Sequence, residues 1–292
     1  MVISNIIGGL GNQMFQYAAG RALALRNDTE LRLDTSGFEN YALHQGFELQ
    51  RVFSCPNKIA SNADMNGVLG WQSSPWIRRI LSRPAFARLR RKELLVEPHF
   101  CYWDGINQAP SESYLMGYWQ SEKYFDDYAA TIRSDFAFRR PLDSLNENII
   151  QKIEESDAVS LHIRRGDYAN NPKTLATHGL CSLDYYRAAT ALVSSRMAFP
   201  HFFIFSDDIE WVRQNLTLDF PCEFIDHNKG AESYKDMQLM SLCRHHIIAN
   251  SSFSWWGAWL NPFPEKIVVA PKKWFTDDRN VDDLIPPKWT RL

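Results

Sequence analysis

The 292 residues carry 32 basic and 34 acidic side chains, a net charge of −2, with 45% hydrophobic and 23% charged residues. That length suits one large domain or two of roughly 100–200 residues. A chain so balanced exerts no global attraction on nucleic acid or anionic membrane, and no run of about 18 apolar residues exists to cross a bilayer.

Five cysteines (Cys55, Cys101, Cys181, Cys222 and Cys243) are scattered without C-x-x-C spacing. They fit reduced thiols of a cytosolic protein and argue against a zinc site or disulfide framework. Residues Met1 to Ile7 lack the basic flank and apolar core of a signal peptide, so the glycosylation tripeptides at Asn27, Asn215 and Asn250 read as chance. Ten tryptophans and 13% aromatic residues lean towards a carbohydrate or nucleotide ligand, with core packing the alternative for any one ring.

Val2 to Ile7 is the first strand candidate. It ends in Gly8-Gly9-Leu10-Gly11, and a helix-compatible run follows from Asn12 to about Arg26. Gly9 and Gly11 let backbone approach a ligand, and the helix N-terminus presents N–H groups to an anion. The segment is neither a dinucleotide fingerprint, since Met14 stands where the third glycine belongs, nor a P-loop. A plain tight turn is the alternative. A second strand, Glu30 to Leu33, completes a β-loop-α-β opening.

Residues 40–125 are less regular and rich in aromatics. Trp76 to Lys92 holds seven basic residues and no acid, split by Pro84, which predicts two short helices or a kinked one. It reads either as a surface meeting anionic lipid or acceptor, or as a solvated basic face. A boundary is expected near Arg139-Arg140-Pro141.

Beyond residue 155, strands at Ala158–Ile163, His201–Phe205, Cys222–Ile225, His246–Ala249 and Lys266–Ala270 alternate with helices. The helices are Leu183–Ser195, one from Ile209, Ser233–Cys243 and Phe253–Leu260. This alternation predicts a parallel sheet covered on both faces, with its ligand at the strands' carboxyl ends.

The first of these strands ends in His162-Ile163-Arg164-Arg165-Gly166-Asp167-Tyr168. Two adjacent guanidiniums suit a diphosphate through paired hydrogen bonds. Gly166 allows a sharp turn, and Asp167 could orient an arginine or serve as a base. A surface Arg165–Asp167 pair and an adhesion tripeptide are the alternatives. Asp207 and Asp208, after Ser206, either cap a helix or offer a carboxylate to guanine. In Asn250 to Leu260, serines open a helix and three tryptophans follow. Capping and packing are the ordinary roles there, with phosphate binding by hydroxyls and amides the other.

Taken together, Gly9-Leu10-Gly11-Asn12-Gln13, the His162–Tyr168 segment and Ser252-Phe253-Ser254-Trp255-Trp256-Gly257 closely resemble the bacterial alpha-1,2-fucosyltransferase family, in the family's order. The resemblance implies an α/β, GT-B-like fold of two Rossmann-like domains facing a cleft. Residues 1–140 would form the acceptor-side domain. Residues 141–292 would form the GDP-fucose-binding domain, with the last residues packing back on the first. Arg164 and Arg165 would hold the diphosphate, His162 would sit by the nucleotide, and Asp207 or Asp208 would read guanine. Ser251, Ser252, Phe253 and Ser254 would complete the phosphate pocket, with Gly9, Gly11, Gln13 and Gly166 also on the donor. Asn12 would lie near the donor sugar.

The implied reaction is inverting transfer of L-fucose to the 2-hydroxyl of a terminal beta-galactoside, in surface-polysaccharide (O-antigen) synthesis, with no metal or further cofactor. Asp207-Asp208 are adjacent and do not form D-x-D. Asn170, Asn171 and Pro172 stand where alpha-1,6 relatives carry a carboxylate, so Asp167 is the candidate base, with the leaving phosphate as the alternative. No nucleic acid partner is expected, and the enzyme would be cytoplasmic or peripheral at the inner membrane. The alternatives are another linkage or acceptor, or a nucleotide-sugar-binding module without catalysis.

Overall fold

A computed structural model of the chain describes residues 1–39, 45–56, 58–166 and 171–292; the candidate base Asp167 lies outside the described residues. The chain divides into two units, Met1–Arg139 with Asn280–Leu284, and Arg140–Arg279 with Ile285–Leu292.

The first unit is built on four parallel strands in the order β2-β1-β4-β3: β1 (Val2–Asn5), β2 (Leu31–Asp34), β3 (Leu94–Val96) and β4 (Ser113–Met116). Helix Leu10–Arg26 carries the chain from β1 to β2. It is rich in alanine and leucine and free of proline, as a long helix requires. It lies close on the sheet because Gly20 has no side chain; a Cβ there would stand 2.9 Å from Leu31 Cδ1 and 3.0 Å from Ser4 Cβ. Ile3, Leu69, Leu81, Leu94 and Tyr114 form a buried cluster against the sheet.

Strands β3 and β4 fall in the stretch expected to be irregular. Three and four residues are too few to show a period, and 3₁₀ turns flank them. Pro84 splits the basic stretch as anticipated, into helix Pro75–Leu81 and a 3₁₀ turn Pro84–Leu89. It is not a uniform basic face. Arg78 is buried, 3.1 Å from Asp34 Oδ2, and the Tyr114 hydroxyl donates to the same oxygen at 2.7 Å.

The second unit holds six parallel strands in the order β10-β9-β8-β5-β6-β7: β5 (Asp157–Ile163), β6 (Pro200–Ser206), β7 (Cys222–Ile225), β8 (His245–Ile247), β9 (Val268–Ala270) and β10 (Thr290–Arg291). Five match the anticipated strands; β10, two residues long, was not anticipated. Val159, Leu161 and Ile163 face one core with Phe202 and Ile204, while Ala158 faces the other with Phe203 and Phe205. Both faces are covered, so the run is continuously apolar. Each of these phenylalanines contributes about 1.5–3 kcal/mol by burial.

Strand order now locates the ligand edge. From β5 the chain moves to β6 and β7 on one side, then returns to fill β8, β9 and β10 on the other. The switch point lies between β5 and β8, where open α/β sheets bind ligands outside the carboxyl ends of their strands.

Candidate functional site

Residues 162–166 leave β5 at this switch point. Register places Ile163 opposite Ser206, so the turn after β5 runs beside the turn after β6. Arg164 Nη1 lies 2.9 Å from Asp207 Oδ2, with about a quarter of each side chain open to solvent (23% and 27%). The other oxygen of Asp207 accepts from the backbone N–H groups of Arg165 at 2.8 Å and Gly166 at 2.9 Å. Asp207 therefore shapes the turn and aims Arg164. Both of its oxygens are engaged, Oδ1 by two N–H groups and Oδ2 by Arg164.

Gly166 meets that carboxylate so closely that a Cβ would stand 2.6 Å from Asp207 Oδ2. Arg165 is fixed from two sides. Its Cζ sits 3.5 Å above the Trp211 ring, and its Nε contacts Asp208 Oδ2 at 3.3 Å. A guanidinium stacked on indole and held at one nitrogen keeps its plane while presenting further N–H groups.

His162 is buried, and its Nδ1 has no hydrogen-bond partner among the described residues. Burial pushes its pKa well below the usual histidine range; the charge of Asp207 opposes this and that of Arg164 adds to it. The ring is neutral at physiological pH. An unpaired buried polar atom costs about 1–3 kcal/mol, and this one lies at the ligand edge.

Across the switch point, the chain leaving β8 reaches helix Ser252–Leu260. The Ser251 hydroxyl accepts from the Phe253 N–H at 3.3 Å, and Ser254, buried, donates to the Ser251 carbonyl at 3.3 Å. Ser252 and Phe253 are half-buried, and the Phe253 ring lies 5.9 Å from His162. The structure thus brings His162, Arg164, Arg165 and Gly166 to one edge with Asp207, Asp208 and the Ser251–Ser254 turn. Trp255, Trp256 and Trp259 are buried and pack together, Trp255 also against Trp289. Their role is packing.

Sequence reasoning missed a polar cluster in this unit. Asn146 Oδ1 accepts from Asn228 at 2.9 Å, and Asn228 also donates to Asp236 Oδ1 at 2.8 Å. Burial pushes the Asp236 carboxyl up to about 7, opposed by that hydrogen bond. Asp236 opens a plainly helical stretch, so nothing in its neighbourhood marked it.

The first unit's ligand-side edge is different in kind. Gly8 has φ +79°, and a Cβ on it would stand 2.8 Å from Asn12 Nδ2. Gly9 caps helix Leu10–Arg26, and Gly11 is buried in its first turn. Asn12 is half-buried, and its Oδ1 accepts from Gln120 Nε2 at 2.6 Å. Gln13 is buried; it donates to the carbonyls of Gly8 at 2.9 Å and Gly46 at 2.8 Å and accepts from the Glu48 N–H at 2.9 Å. Gln13 is a clamp on its own loop.

After β4, Trp119 adopts φ +55°, uncommon and strained for a bulky residue. Glu97, next after β3, holds this conformation by accepting from the N–H groups of Tyr118 at 2.7 Å and Trp119 at 3.0 Å. Burial pushes the partly exposed Glu97 carboxyl up to about 7, against those two bonds. Glu97 also escaped the sequence reading. Its only local signal is the apolar triplet Leu94–Val96 before it.

Among the described residues no three His, Cys, Asp or Glu side chains gather as a metal site, and no helix is long and apolar enough to cross a membrane.

The sequence model of glycosyl transferase family 11 matches residues 104–292. An alpha-1,2-colitosyltransferase of Escherichia coli is 36% identical over 100% of this chain and 99% of its own length. The O-antigen biosynthesis glycosyltransferase WbnK of Escherichia coli is 34% identical over 99% of each. Among solved structures, a NodZ alpha-1,6-fucosyltransferase soaked with GDP-fucose superposes with a TM-score of 0.53 at 17% identity, over 89% of this chain and 92% of that one. This likeness bears on the fold alone. With the two parallel-sheet units, it makes the chain an α/β protein of the GT-B-like class anticipated from its sequence.

Proposed function

We propose, from the premise that the chain belongs to glycosyl transferase family 11, that this glycosyltransferase moves L-fucose from GDP-β-L-fucose to the 2-hydroxyl of a terminal galactoside in surface-polysaccharide synthesis. The observation that carries the reading is the pair of guanidiniums at the β5/β8 switch point, one aimed by Asp207 and one stacked on Trp211. On this reading residues 141–292 take the donor and residues 1–140 the acceptor.

Arg164 and Arg165 bind the diphosphate oxygens, and the Ser251–Ser254 turn contributes hydroxyls and amides. His162 stays neutral beside the nucleotide. Asp208, with one oxygen engaged by Arg165, has more capacity for guanine than Asp207. Transfer from a β-linked donor to an α-linked product inverts configuration in one displacement. As the bond from C1 to the phosphate oxygen breaks, negative charge grows on the β-phosphate. Fixed guanidiniums stabilise that charge without a metal. Asn12 lies towards the sugar, and Asp167 takes the acceptor proton, unless the departing phosphate does.

A second reading has a specific support: the 36% identical relative is named a colitosyltransferase, and colitose is fucose without its 3-hydroxyl. The test incubates the purified protein with each nucleotide-activated sugar and a panel of β-galactosides, in EDTA, followed by linkage analysis of the product. An α-1,2-fucoside formed in EDTA supports the proposal. Transfer of colitose alone supports the second reading, and activity recovered only on adding manganese contradicts metal independence.

A further inference from the structure

Between β2 and β3 the chain crosses the first unit's sheet through a 3₁₀ turn Gly70–Ser73, helix Pro75–Leu81 and the 3₁₀ turn Pro84–Leu89. The inner side of this segment is apolar, with Leu81 buried and Ile77 and Phe86 packed on the cluster around Ile3 and Tyr114. Its basic residues sort into two groups. Arg78 pairs with Asp34, Arg90 donates to the carbonyls of Leu81, Ser82 and Arg83, and Arg91 pairs with Glu93. These three have structural work. Arg79, Arg83, Arg88 and Lys92 are exposed, and none forms an ion pair with a described carboxylate.

Three large apolar side chains stand among them: Trp71 is 61% exposed, Trp76 71% and Leu89 60%. Single exposed leucines are ordinary. Two tryptophans left in water on one short segment, flanked by four cations and no acid, are not explained by folding.

We propose that the outward face of residues 71–92 docks on an anionic lipid surface. Tryptophan favours the boundary between headgroups and acyl chains, where its ring is buried and its N–H still meets water or carbonyls. Arginine binds lipid phosphates through paired hydrogen bonds. The pairing of apolar anchors with basic residues is what peripheral membrane binding needs, each alone being weak. Charge complementarity is local, since the whole chain is net negative at −2. Single-stranded nucleic acid also stacks on aromatic rings beside arginines, and the test below separates it from lipid. The inference does not depend on the sugar transferred.

The test sediments the intact protein with vesicles of phosphatidylcholine alone and of phosphatidylcholine with one third phosphatidylglycerol. Binding should appear on the anionic vesicles and weaken with salt. Arg79→Gln, Arg83→Gln and Arg88→Gln together should lower apparent affinity on the order of a hundredfold. Trp71→Ser and Trp76→Ser should each lower it about tenfold, while Arg187→Gln, on another exposed surface, changes nothing. All these side chains are exposed, so thermal melting should be unaltered. No binding to anionic vesicles at low salt overturns the proposal. So does equal binding to both vesicle types, or tighter binding of a single-stranded oligonucleotide lost in the same variants. Self-association abolished by those variants, with vesicles left unbound, overturns it in favour of a second copy of the chain.

Discussion

The ligand-side edges of the two sheets use opposite chemistry. Leaving β5 and β6, the second unit presents two guanidiniums, each tied to a carboxylate on the neighbouring turn, and a neutral imidazole whose Nδ1 has no partner among the described residues. Leaving β1 and β4, the first unit presents amides: Asn12 to Gln120, Gln13 to its own loop, Gln16 to the Gly117 carbonyl at 3.1 Å. The charged groups there are paired or occupied: Glu97, after β3, accepts from backbone N–H groups, and Asp34, closing β2, meets buried Arg78. On the proposed reading, an edge of preorganised guanidiniums, each held by a carboxylate with further N–H groups to offer, suits phosphate oxygens on which charge grows. On the same reading, an edge where side-chain amides are the leading polar groups suits a ligand made of hydroxyls. On the proposed reading, two parallel sheets of the same general kind thus serve a charged and an uncharged partner.

The comparison is broken most directly at Arg164. Arg164→Ala should lower transfer by about 10²–10³ or more, and Arg164→Lys should recover little, because a point charge cannot bind bidentately. Far-ultraviolet dichroism and melting check the fold, and near-normal turnover in a folded variant contradicts the assignment.

A smaller effect is expected at Gly166. Gly166→Ala places a methyl 2.6 Å from Asp207 Oδ2, so the carboxylate must move and Arg164 with it. Displacement by even an ångström costs up to about a hundredfold. Steady-state rates should show a lowered kcat with the protein still folded. Unchanged kcat would mean that the aim of Arg164 does not matter.

The mildest change is at Glu97 and concerns pH. The folded carboxyl titrates near 7, whereas an unfolded glutamate titrates near about 4.3. Between those values the unfolded chain has released its proton and the folded chain has not, so stability falls as pH rises through this window and levels above it. Asp236, also raised to about 7, acts in the same sense. Glu97→Gln should flatten the fall in melting temperature over that window without abolishing it. Identical pH profiles in the two proteins would contradict a raised Glu97.

The pattern of what the sequence revealed follows from the range of the forces involved. β1, helix Leu10–Arg26 and the strands β5 to β9 are legible because apolar runs, glycines and caps act over a few residues. Strands β3, β4 and β10 are too short to have a pattern and exist through parallel pairing with distant segments. The doublet Arg164-Arg165 stood out as charge at a strand end. That Asp207 aims Arg164 follows only from the register of Ile163 with Ser206. The links from Glu97 to Trp119 and from Asn12 to Gln120 span 22 and 108 positions, beyond any local motif. In the basic stretch, composition could not separate Arg78, buried on Asp34, from Arg79, one residue on and exposed.

Calorimetric titration of GDP in EDTA, on wild type, Arg164→Ala and Asn12→Ala, reaches the central claim with the fewest intermediate steps. If the second unit's guanidiniums hold the diphosphate, wild type binds without metal, Arg164→Ala loses affinity by at least about tenfold, and Asn12→Ala stays near wild type. Equal affinity in Arg164→Ala and wild type, or a larger loss in Asn12→Ala, would contradict it.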